Sequence, residues 1–391
     1  MNENSLESKV QYAYLVTSDG SFFSPNANAY QKCKLVVDCL DGVIIVPKSR
    51  RNWVHQEFLE KVHTFNFPDF LLKKPFVVLT YPIIYIAGVL AFREKVSNWI
   101  FAPSNEGTFL GVWLVEVLFR IKVFLFCWDP PGINIRDRRD ITGTVRCRFI
   151  DWLMGKAVGK SALMILNLHP DFVNGRFPSN ILNKIRSFPN GTDIAANKLA
   201  AKDVQQVVGR IGINSKFEKV KGCWSVAELL VALWKTHKTI SVVWVGDGKE
   251  YSGVYEYLRK EGIPESKLIM PGQVPPREAI RLLATAQVAL NCYDAKPSLK
   301  WNYVLKLPEF MSIGIPVVSA DSLGVREYLE DGISGIIFKP GDWNAVSQIL
   351  DELLTNNEKR IAMAAKALHE VVRYDWQLIN KHIADVIRDM I

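Results

Sequence analysis

The stretch from Lys306 to Asp342 constrains the fold of this chain more than any other. It reads KLPEFMSIGIPVVSADSLGVREYLEDGISGIIFKPGD. A short helix carrying Glu309 is predicted to end near Gly314, because glycine accepts the left-handed turn that closes a helix. The apolar run after Pro316, a second helix and the run IIF then predict strand, helix and strand. This alternation is half of a doubly wound α/β sheet, in which ligands bind at the carboxyl ends of the strands.

Two motifs in this stretch resemble those of a known enzyme family. The first is K-L-x-E-F-M-x-x-G-x-P-V-V and the second is G-x-x-E-x-L-x-D-G-x-x-G-x-I-x-x-x-G-D. Both are similar to the carboxyl-terminal, nucleotide-sugar half of GT-B glycosyltransferases, especially the family-4 type (glycosyl transferases group 1), and the likeness is specific from Val242 to Trp343. It implies two Rossmann-like, doubly wound α/β domains that face a cleft, with a last helix crossing back to the first domain.

The resemblance also implies a donor site. Glu309 would hold the ribose hydroxyls of the nucleotide, and backbone amides near Tyr303, Val304, Leu305 and Lys306 would meet the diphosphate. Gly272 and Val274 match a short strand and turn whose backbone lies near the nucleobase. Taken alone, Glu309 is equally well explained as a solvated helix residue, but the order of the motifs argues against that explanation.

Glycines and cations complete the predicted donor site. Gly246 and Gly248 follow the apolar run TISVVWV, and glycines let a backbone approach a ligand closely. A leaving nucleoside diphosphate needs cationic groups, and the resembled family supplies an Arg and a Lys about six residues apart. Arg210 and Lys221 are eleven apart here. The apolar residues around Arg210, namely Val204, Val207, Val208 and Ile211, recur at helical spacing.

Two interpretations of Arg210 therefore stay open. Either it is the family's catalytic arginine, acting with Lys221, or it lies on a helix that ends at Gly212 and is away from the site. In the second case Lys219 or Lys221 supplies the positive charge.

The amino-terminal half is predicted to hold the acceptor. A strand from Val10 to Val16 leads through Gly20 and Ser21 into a helix, an arrangement that suits an anion or a hydroxylated ligand; an ordinary turn is the alternative. Asp129 ends another predicted strand, where a carboxylate can serve as a catalytic base or bind an acceptor hydroxyl. A turn cap before proline explains Asp129 equally well.

Two apolar or basic segments raise the question of a membrane. Residues 76–92 carry no charge over 17 residues; we predict a strand followed by a buried helix from Pro82, with a helix docked on a bilayer as the alternative. Residues 135–160 are predicted to contain a basic amphipathic helix in which Val145, Phe149, Trp152 and Leu153 share a face. Its charges are dense at Arg136, Arg138, Arg139, Arg146 and Arg148. Such a helix suits a membrane surface or a lipid phosphate, although a solvated face is the simpler account.

Charge and cysteine content refine the class of protein. Residues 1–186 hold 23 Lys and Arg against 16 Asp and Glu, so contact with an anionic partner is expected in this half. The six cysteines show no zinc spacing, and the amino terminus carries no apolar signal core. We predict a cytoplasmic protein, and peripheral contact with the inner face of an anionic membrane stays open.

Domain boundaries follow from the segment FPNGTD, which resembles the GT-B linker and is rich in turn residues. We predict an acceptor domain at 1–187, a nucleotide-sugar domain at 188–370 and a crossing helix at 371–391.

The predicted activity is transfer of a sugar from a nucleoside diphosphate sugar to an acceptor hydroxyl of a glycan or lipid-linked acceptor, in glycolipid or surface polysaccharide synthesis. The family resemblance implies a hexosyltransferase that retains anomeric configuration, with no cofactor and no nucleic-acid partner. The chain has no D-x-D pair, so no metal site is predicted.

Two alternatives remain: an epimerase-like enzyme of the same fold, and a catalytically degenerate GT-B subunit. The second is motivated by Trp128 and Trp301, which stand where the family often has a His and a Glu.

Overall fold

The chain forms two compact units. The computed structural model describes residues 6, 8–16, 28–68, 71, 77–128, 141–293 and 297–391. One unit comprises residues 1–189 and 376–391, and the other comprises residues 190–375. The first division lies two residues beyond the predicted one, and the last helix begins five residues later than predicted.

The first unit is built on a parallel sheet. Its described strands are β1 (Val10–Leu15), β2 (Val43–Pro47), β3 (Val62–Phe65), β4 (Val96–Phe101), β5 (Lys122–Cys127), β6 (Leu163–Leu166) and β7 (Ile185–Ser187). They pair in the order β3-β2-β1-β4-β5-β6-β7, with Ala13 opposite Val43 on one side of β1 and opposite Trp99 on the other. Continuous apolar runs form these strands because helices cover both faces of a parallel sheet.

Helices connect these strands. They are α1 (Asn28–Lys34), continued by a π-helical turn at Leu35–Cys39, then α2 (Val77–Phe92), α3 (Glu106–Phe119), α4 (Ile141–Lys160) and α5 (Ser179–Leu182). Asn105 caps α3 by accepting a hydrogen bond from the amide of Thr108, and the Thr108 hydroxyl accepts one from Asn105 in return. This reciprocal pair satisfies two amides that a helix start leaves unpaired.

The prediction for residues 76–92 is wrong at its amino-terminal half. Val77–Phe92 is one helix with Pro82 inside it, and the strand of this region is β3 instead. A short apolar run does not distinguish a strand from a buried helix. A Cβ on Gly111 of α3 would lie 2.6 Å from Tyr85 and 3.0 Å from the Cα of Pro82, so α2 and α3 pack backbone to backbone.

Within the described part of the chain, no helix combines the length and the apolar character that crossing a membrane requires.

The second unit repeats the topology of the first. Its described strands are β8 (Arg210–Asn214), β9 (Ser241–Val245), β10 (Leu268–Gly272), β11 (Val288–Asn291), β12 (Val317–Ala320) and β13 (Gly335–Phe338). They pair in parallel in the order β10-β9-β8-β11-β12-β13. Both sheets therefore reverse their strand order beside the first strand, as in the Rossmann arrangement.

The helices of the second unit lie on both faces of its sheet. They are α6 (Ile194–Ala201), α7 (Cys223–Thr236), α8 (Tyr251–Lys260), α9 (Pro276–Leu283), α10 (Lys306–Ser312), α11 (Leu323–Arg326), α12 (Trp343–Thr355) and α13 (Asn357–Glu370). Two buried clusters lie on the two faces, one including Trp244 and Leu350, the other including Phe310 and Tyr328.

The last helix, α14 (Trp376–Arg388), belongs to the core of the first unit. Trp376, Ile383 and Ile387 are buried in one cluster with residues of β1 and β2. Asn380 donates a buried hydrogen bond of 2.9 Å to Gln31. The predicted return of the chain to its first domain is confirmed.

Candidate functional site

The polar residues of the second unit converge at the carboxyl ends of its central strands. β8 and β11 are the neighbours at which strand order reverses, and such a point opens a crevice for a ligand. β8 ends at Asn214 and β11 ends at Asn291, whose amide donates to the Ser319 hydroxyl over 2.8 Å.

Glu309 projects from the first turn of α10 into this cluster. The residue is 8% exposed. Asn214 Nδ2 donates to its Oε2 over 3.3 Å, and Lys306 Nζ lies 3.3 Å from the same oxygen. Among the described residues Oε1 accepts no hydrogen bond, so it remains available to a ligand hydroxyl. Burial next to an amide and an ammonium group explains how a carboxylate stays in this position.

The loops after β8 and β9 interlock through Gly246 and Gly248. A Cβ at Gly246 would lie 2.1 Å from the carbonyl oxygen of Ser215, and one at Gly248 would lie 2.3 Å from that of Phe217. Glycine is therefore required for contact between two loops. The prediction placed both glycines beside the donor, whereas the close approach they permit is to the protein's own backbone.

Gly272 joins the same edge from β10. Its carbonyl accepts a 3.0 Å hydrogen bond from the Gly246 amide, and its own φ is 75°. Val274, two residues on, packs against the apolar cluster that contains Leu283 and Phe310. Gly272 therefore lies at the strand ends as predicted, and Val274 has a packing contact as well.

Residues 303–305, immediately before α10, are fixed by side-chain packing, and their backbone amides are candidates to bind the donor diphosphate. The ring of Tyr303 is buried against Tyr328, with centroids 6.1 Å apart, and burial raises the pKa of its hydroxyl. Asn190 Nδ2 donates to the Tyr303 carbonyl over 2.9 Å. Within the described residues the amides of Val304 and Leu305 make no hydrogen bond. These amides flank the start of α10, where helix amides favour an anion.

Gly324, the first residue of the second motif, lies against the backbone that leads into the first motif. A Cβ at this position would lie 1.9 Å from the carbonyl oxygen of Asn302. α11 therefore rests directly on the backbone that precedes α10, and any larger residue would separate them.

The structure corrects the interpretation of Arg210. Residues 204–209 form no helix, and Arg210 begins β8, so it lies at the end of the strand opposite to Asn214. Its guanidinium donates to Ser241 over 3.2 Å and to Thr285 over 3.1 Å. The assignment of a catalytic role to Arg210 is wrong because its side chain forms its hydrogen bonds at the amino-terminal edge of the sheet, away from the strand ends where ligands bind.

Lys216 is the cation that the sequence analysis missed. It follows the carboxyl end of β8 and precedes Lys221 by five residues, close to the spacing expected of the family's cationic pair. Both side chains are exposed. Lys221 ends a 3-10 turn, and Gly222, with φ of 72°, is the N-cap residue immediately before α7. A strand boundary at Asn214, four residues later than the one sought at Arg210, would have identified Lys216.

The predictions for the first unit lie largely outside the described residues. This applies to Gly20, Ser21 and Asp129. Trp128 is described, and it is a core residue, 6% exposed and in an edge-to-face contact with Trp376 at 6.1 Å. His169 caps a 3-10 turn by accepting from the amide of Asp171, which is a structural role.

Comparisons with known proteins agree with this geometry. The model of the family described as glycosyl transferases group 1 matches residues 210–370. A D-inositol 3-phosphate glycosyltransferase of Corynebacterium urealyticum is 25% identical over 214 residues, which cover 53% of this chain and 49% of that protein. A phosphatidyl-myo-inositol mannosyltransferase of Mycobacterium leprae is 29% identical over 171 residues, 43% of either chain. In both alignments the chain spans about half or less of the relative's length.

Solved structures match over nearly the whole chain. Anabaena Alr3699/HepE in complex with UDP-glucose has a TM-score of 0.66 at 15% identity, covering 97% of this chain and 99% of its own. Sucrose-phosphate synthase from Thermosynechococcus elongatus has a TM-score of 0.72 at 14% identity, with 97% and 99% covered. The predicted resemblance is confirmed: the chain has the GT-B fold, and residues 210–370 of its second unit match the family of glycosyl transferases group 1.

Proposed function

We propose that this protein transfers a sugar from a nucleoside diphosphate sugar to an acceptor hydroxyl, in the synthesis of a glycolipid or surface polysaccharide. The observation that carries the proposal is the environment of Glu309. One carboxylate oxygen is held by Asn214 and Lys306. The other accepts no hydrogen bond from the described residues, which leaves it for a ligand hydroxyl at the edge of the sheet where ligands bind.

In this proposal, specific residues bind the donor and the acceptor. Glu309 accepts hydrogen bonds from the ribose hydroxyls, and bonds to a charged acceptor are the stronger kind. Lys216 and Lys221 stabilise the charge that develops on the leaving diphosphate, aided by the amides of Val304 and Leu305. The first unit holds the acceptor, with Gly20, Ser21 and Asp129 as proposed contacts.

The finer features of the reaction are also part of the proposal. The donor sugar is a hexose, supported by relatives named as a mannosyltransferase and a lipopolysaccharide glucosyltransferase. Retention of anomeric configuration follows from the family-4 resemblance, and proton NMR of the product measures it directly. A lipid-linked acceptor and peripheral contact with an anionic membrane are supported by the relative named phosphatidyl-myo-inositol mannosyltransferase. The reaction proceeds without a cofactor or metal ion.

Calorimetric titration with UDP-, GDP- and ADP-sugars tests the proposal. One nucleotide class should bind, and Glu309→Gln should weaken it roughly 10- to 100-fold, the value of a hydrogen bond to a charged group. Glu358→Gln, an exposed glutamate of α13, is the matched control and should bind like the natural protein. Equal binding by the two variants would contradict the assignment of Glu309.

Transfer to an acceptor separates the enzyme from its rivals. Binding of no nucleotide sugar would refute a glycosyltransferase. Binding without transfer to any acceptor would favour the non-catalytic subunit, and conversion of the donor to an epimer without an acceptor would favour the epimerase.

A further inference from the structure

An apolar band crosses the outer surface of α3 and α4 in the first unit. On α4, Val145, Phe149 and Trp152 recur at helical spacing and are 62%, 52% and 51% exposed. The opposite side of α4 is buried, through Ile150, Leu153, Met154, Ala157 and Val158. This band, together with Leu110, Trp113 and Val117 of α3, is here called the α3–α4 surface. Exposed apolar groups gathered on one face mark a site of association.

The aromatic groups of the α3–α4 surface are held in place by one another. Phe149 stacks on Trp152 with centroids 6.0 Å apart, and Trp152 meets Trp113 edge to face at 6.2 Å. At the amino-terminal ends of the two helices, Arg146 and Glu106 form a 2.7 Å ion pair. The surface is therefore a firm platform that presents tryptophan and phenylalanine to its surroundings.

Cations border the same platform. Lys156 Nζ lies 5.7 Å from the centre of the Trp152 ring. Arg148 makes no ion pair or hydrogen bond with the part of the chain that is described. Both line a groove of about 650 Å³ beside α4, in which Arg176 is already paired with Asp151 at 3.7 Å. The uncommitted charge in the groove is positive, which suits a phosphate group.

We propose that the α3–α4 surface docks on an anionic lipid bilayer, with Val145, Phe149 and Trp152 entering the interface and lipid phosphates lying against Arg148 and Lys156. Aromatic groups favour the depth of the head groups, and cations beside an apolar face add attraction to anionic lipid. The inference rests on the proposed function, which includes a lipid-linked acceptor and peripheral contact with an anionic membrane, and it names the surface that makes this contact.

Co-sedimentation of the full chain with vesicles tests this docking. The protein should bind phosphatidylcholine vesicles that contain phosphatidylglycerol, and bind pure phosphatidylcholine much more weakly. Val145→Glu and Phe149→Glu should abolish binding, whereas Ile361→Glu, 59% exposed on α13 of the second unit, should leave it intact. Each of Arg148→Glu and Lys156→Glu should weaken binding more than about fivefold, the effect of one cation near an anionic surface, while Lys366→Glu should not.

Several outcomes would overturn the inference. They are absence of vesicle binding by the natural protein, equal binding to neutral and anionic vesicles, and equal binding by Phe149→Glu and Ile361→Glu. Should a glutamate variant fail to fold by circular dichroism, release of the natural protein from anionic vesicles by salt tests the charge component alone.

Titration of nucleotide sugar in the absence of vesicles keeps the two proposals apart. Val145→Glu and Phe149→Glu should bind the donor normally, because the α3–α4 surface lies in the first unit and the donor residues lie in the second. Loss of vesicle binding with intact donor binding therefore concerns docking alone.

Discussion

Glu116 is a buried carboxyl group whose presence lowers the stability of the folded protein at neutral pH. It lies on α3 and is 6% exposed, and neither of its oxygens has a hydrogen-bond partner among the residues that the structure describes. Burial raises its pKa from 4.5 to about 9, opposed by the positive charges of Lys160 and Lys184. The folded protein therefore keeps this group protonated at a pH where the unfolded chain has released the proton.

The sign and size of the effect follow from proton linkage. Between pH 4.5 and about 9 the folded state holds one more proton than the unfolded state, so the free energy of unfolding falls as pH rises, by about 1.4 kcal/mol per pH unit. The stability is intact below the unfolded pKa and is lost as pH rises through the folded one. At pH 7 the loss amounts to about 3 kcal/mol.

Glu116→Gln removes this ionisation with little change of shape. We expect the variant to exceed the natural protein in stability by about 3 kcal/mol at pH 7 and by less than about 1 kcal/mol at pH 5. The measurement is urea unfolding at several pH values, monitored by hydrogen exchange of peptides from β4 and β5, which report on the first unit. Glu94→Gln, an exposed site, is the control. Parallel pH profiles for the natural protein and Glu116→Gln would refute the reasoning.

Three further predictions concern the second unit. Lys216→Ala and Lys221→Ala should each weaken nucleoside diphosphate binding roughly 10-fold or more by calorimetry, whereas Arg210→Ala should leave the affinity unchanged and lower only the thermal midpoint; a loss of affinity in Arg210→Ala would restore it to the site. Asn214→Ala should weaken nucleotide binding about 10-fold, because the Glu309 carboxylate loses the amide that orients it; unchanged affinity would show that Lys306 suffices. Gly324→Ala should destabilise the second unit by roughly 1–3 kcal/mol through overlap with the Asn302 carbonyl, measured by urea unfolding; a neutral effect would contradict the close contact.

The fold was predictable because apolar runs and turn residues agree along most of the chain. The run after Pro316 became β12, Gly314 closed α10 with φ of 71°, and the strand IIF became β13. Each prediction rested on several neighbouring signals of the same kind. The prediction for residues 76–92 failed because an uninterrupted apolar run has neither the helical nor the strand period of hydrophobicity. Packing against α3 favours the helix.

A site residue was predictable only where a local sequence motif identifies it, without knowledge of distant contacts. Glu309 was found because α10 carries its whole motif. The catalytic assignment of Arg210 came from the family's Arg–Lys pattern, whose spacing this chain does not keep. The alternative, a helix ending at Gly212, came from apolar residues at helical spacing, although Val207 and Val208 are exposed. Asn214 escaped notice because its partner, Glu309, is 95 residues away in the chain, and no local pattern encodes such a contact.

The position of α14 has a consequence for synthesis. The buried cluster of the first unit includes Ile383 and Ile387, so its hydrophobic core closes only after the ribosome has translated the entire second unit. All the residues of the second unit, 190–375, emerge earlier, and it can fold while the first unit still exposes apolar surface. The half of the molecule made first is therefore the half completed last, and a nascent chain stalled before Trp376 is the species that most needs a chaperone.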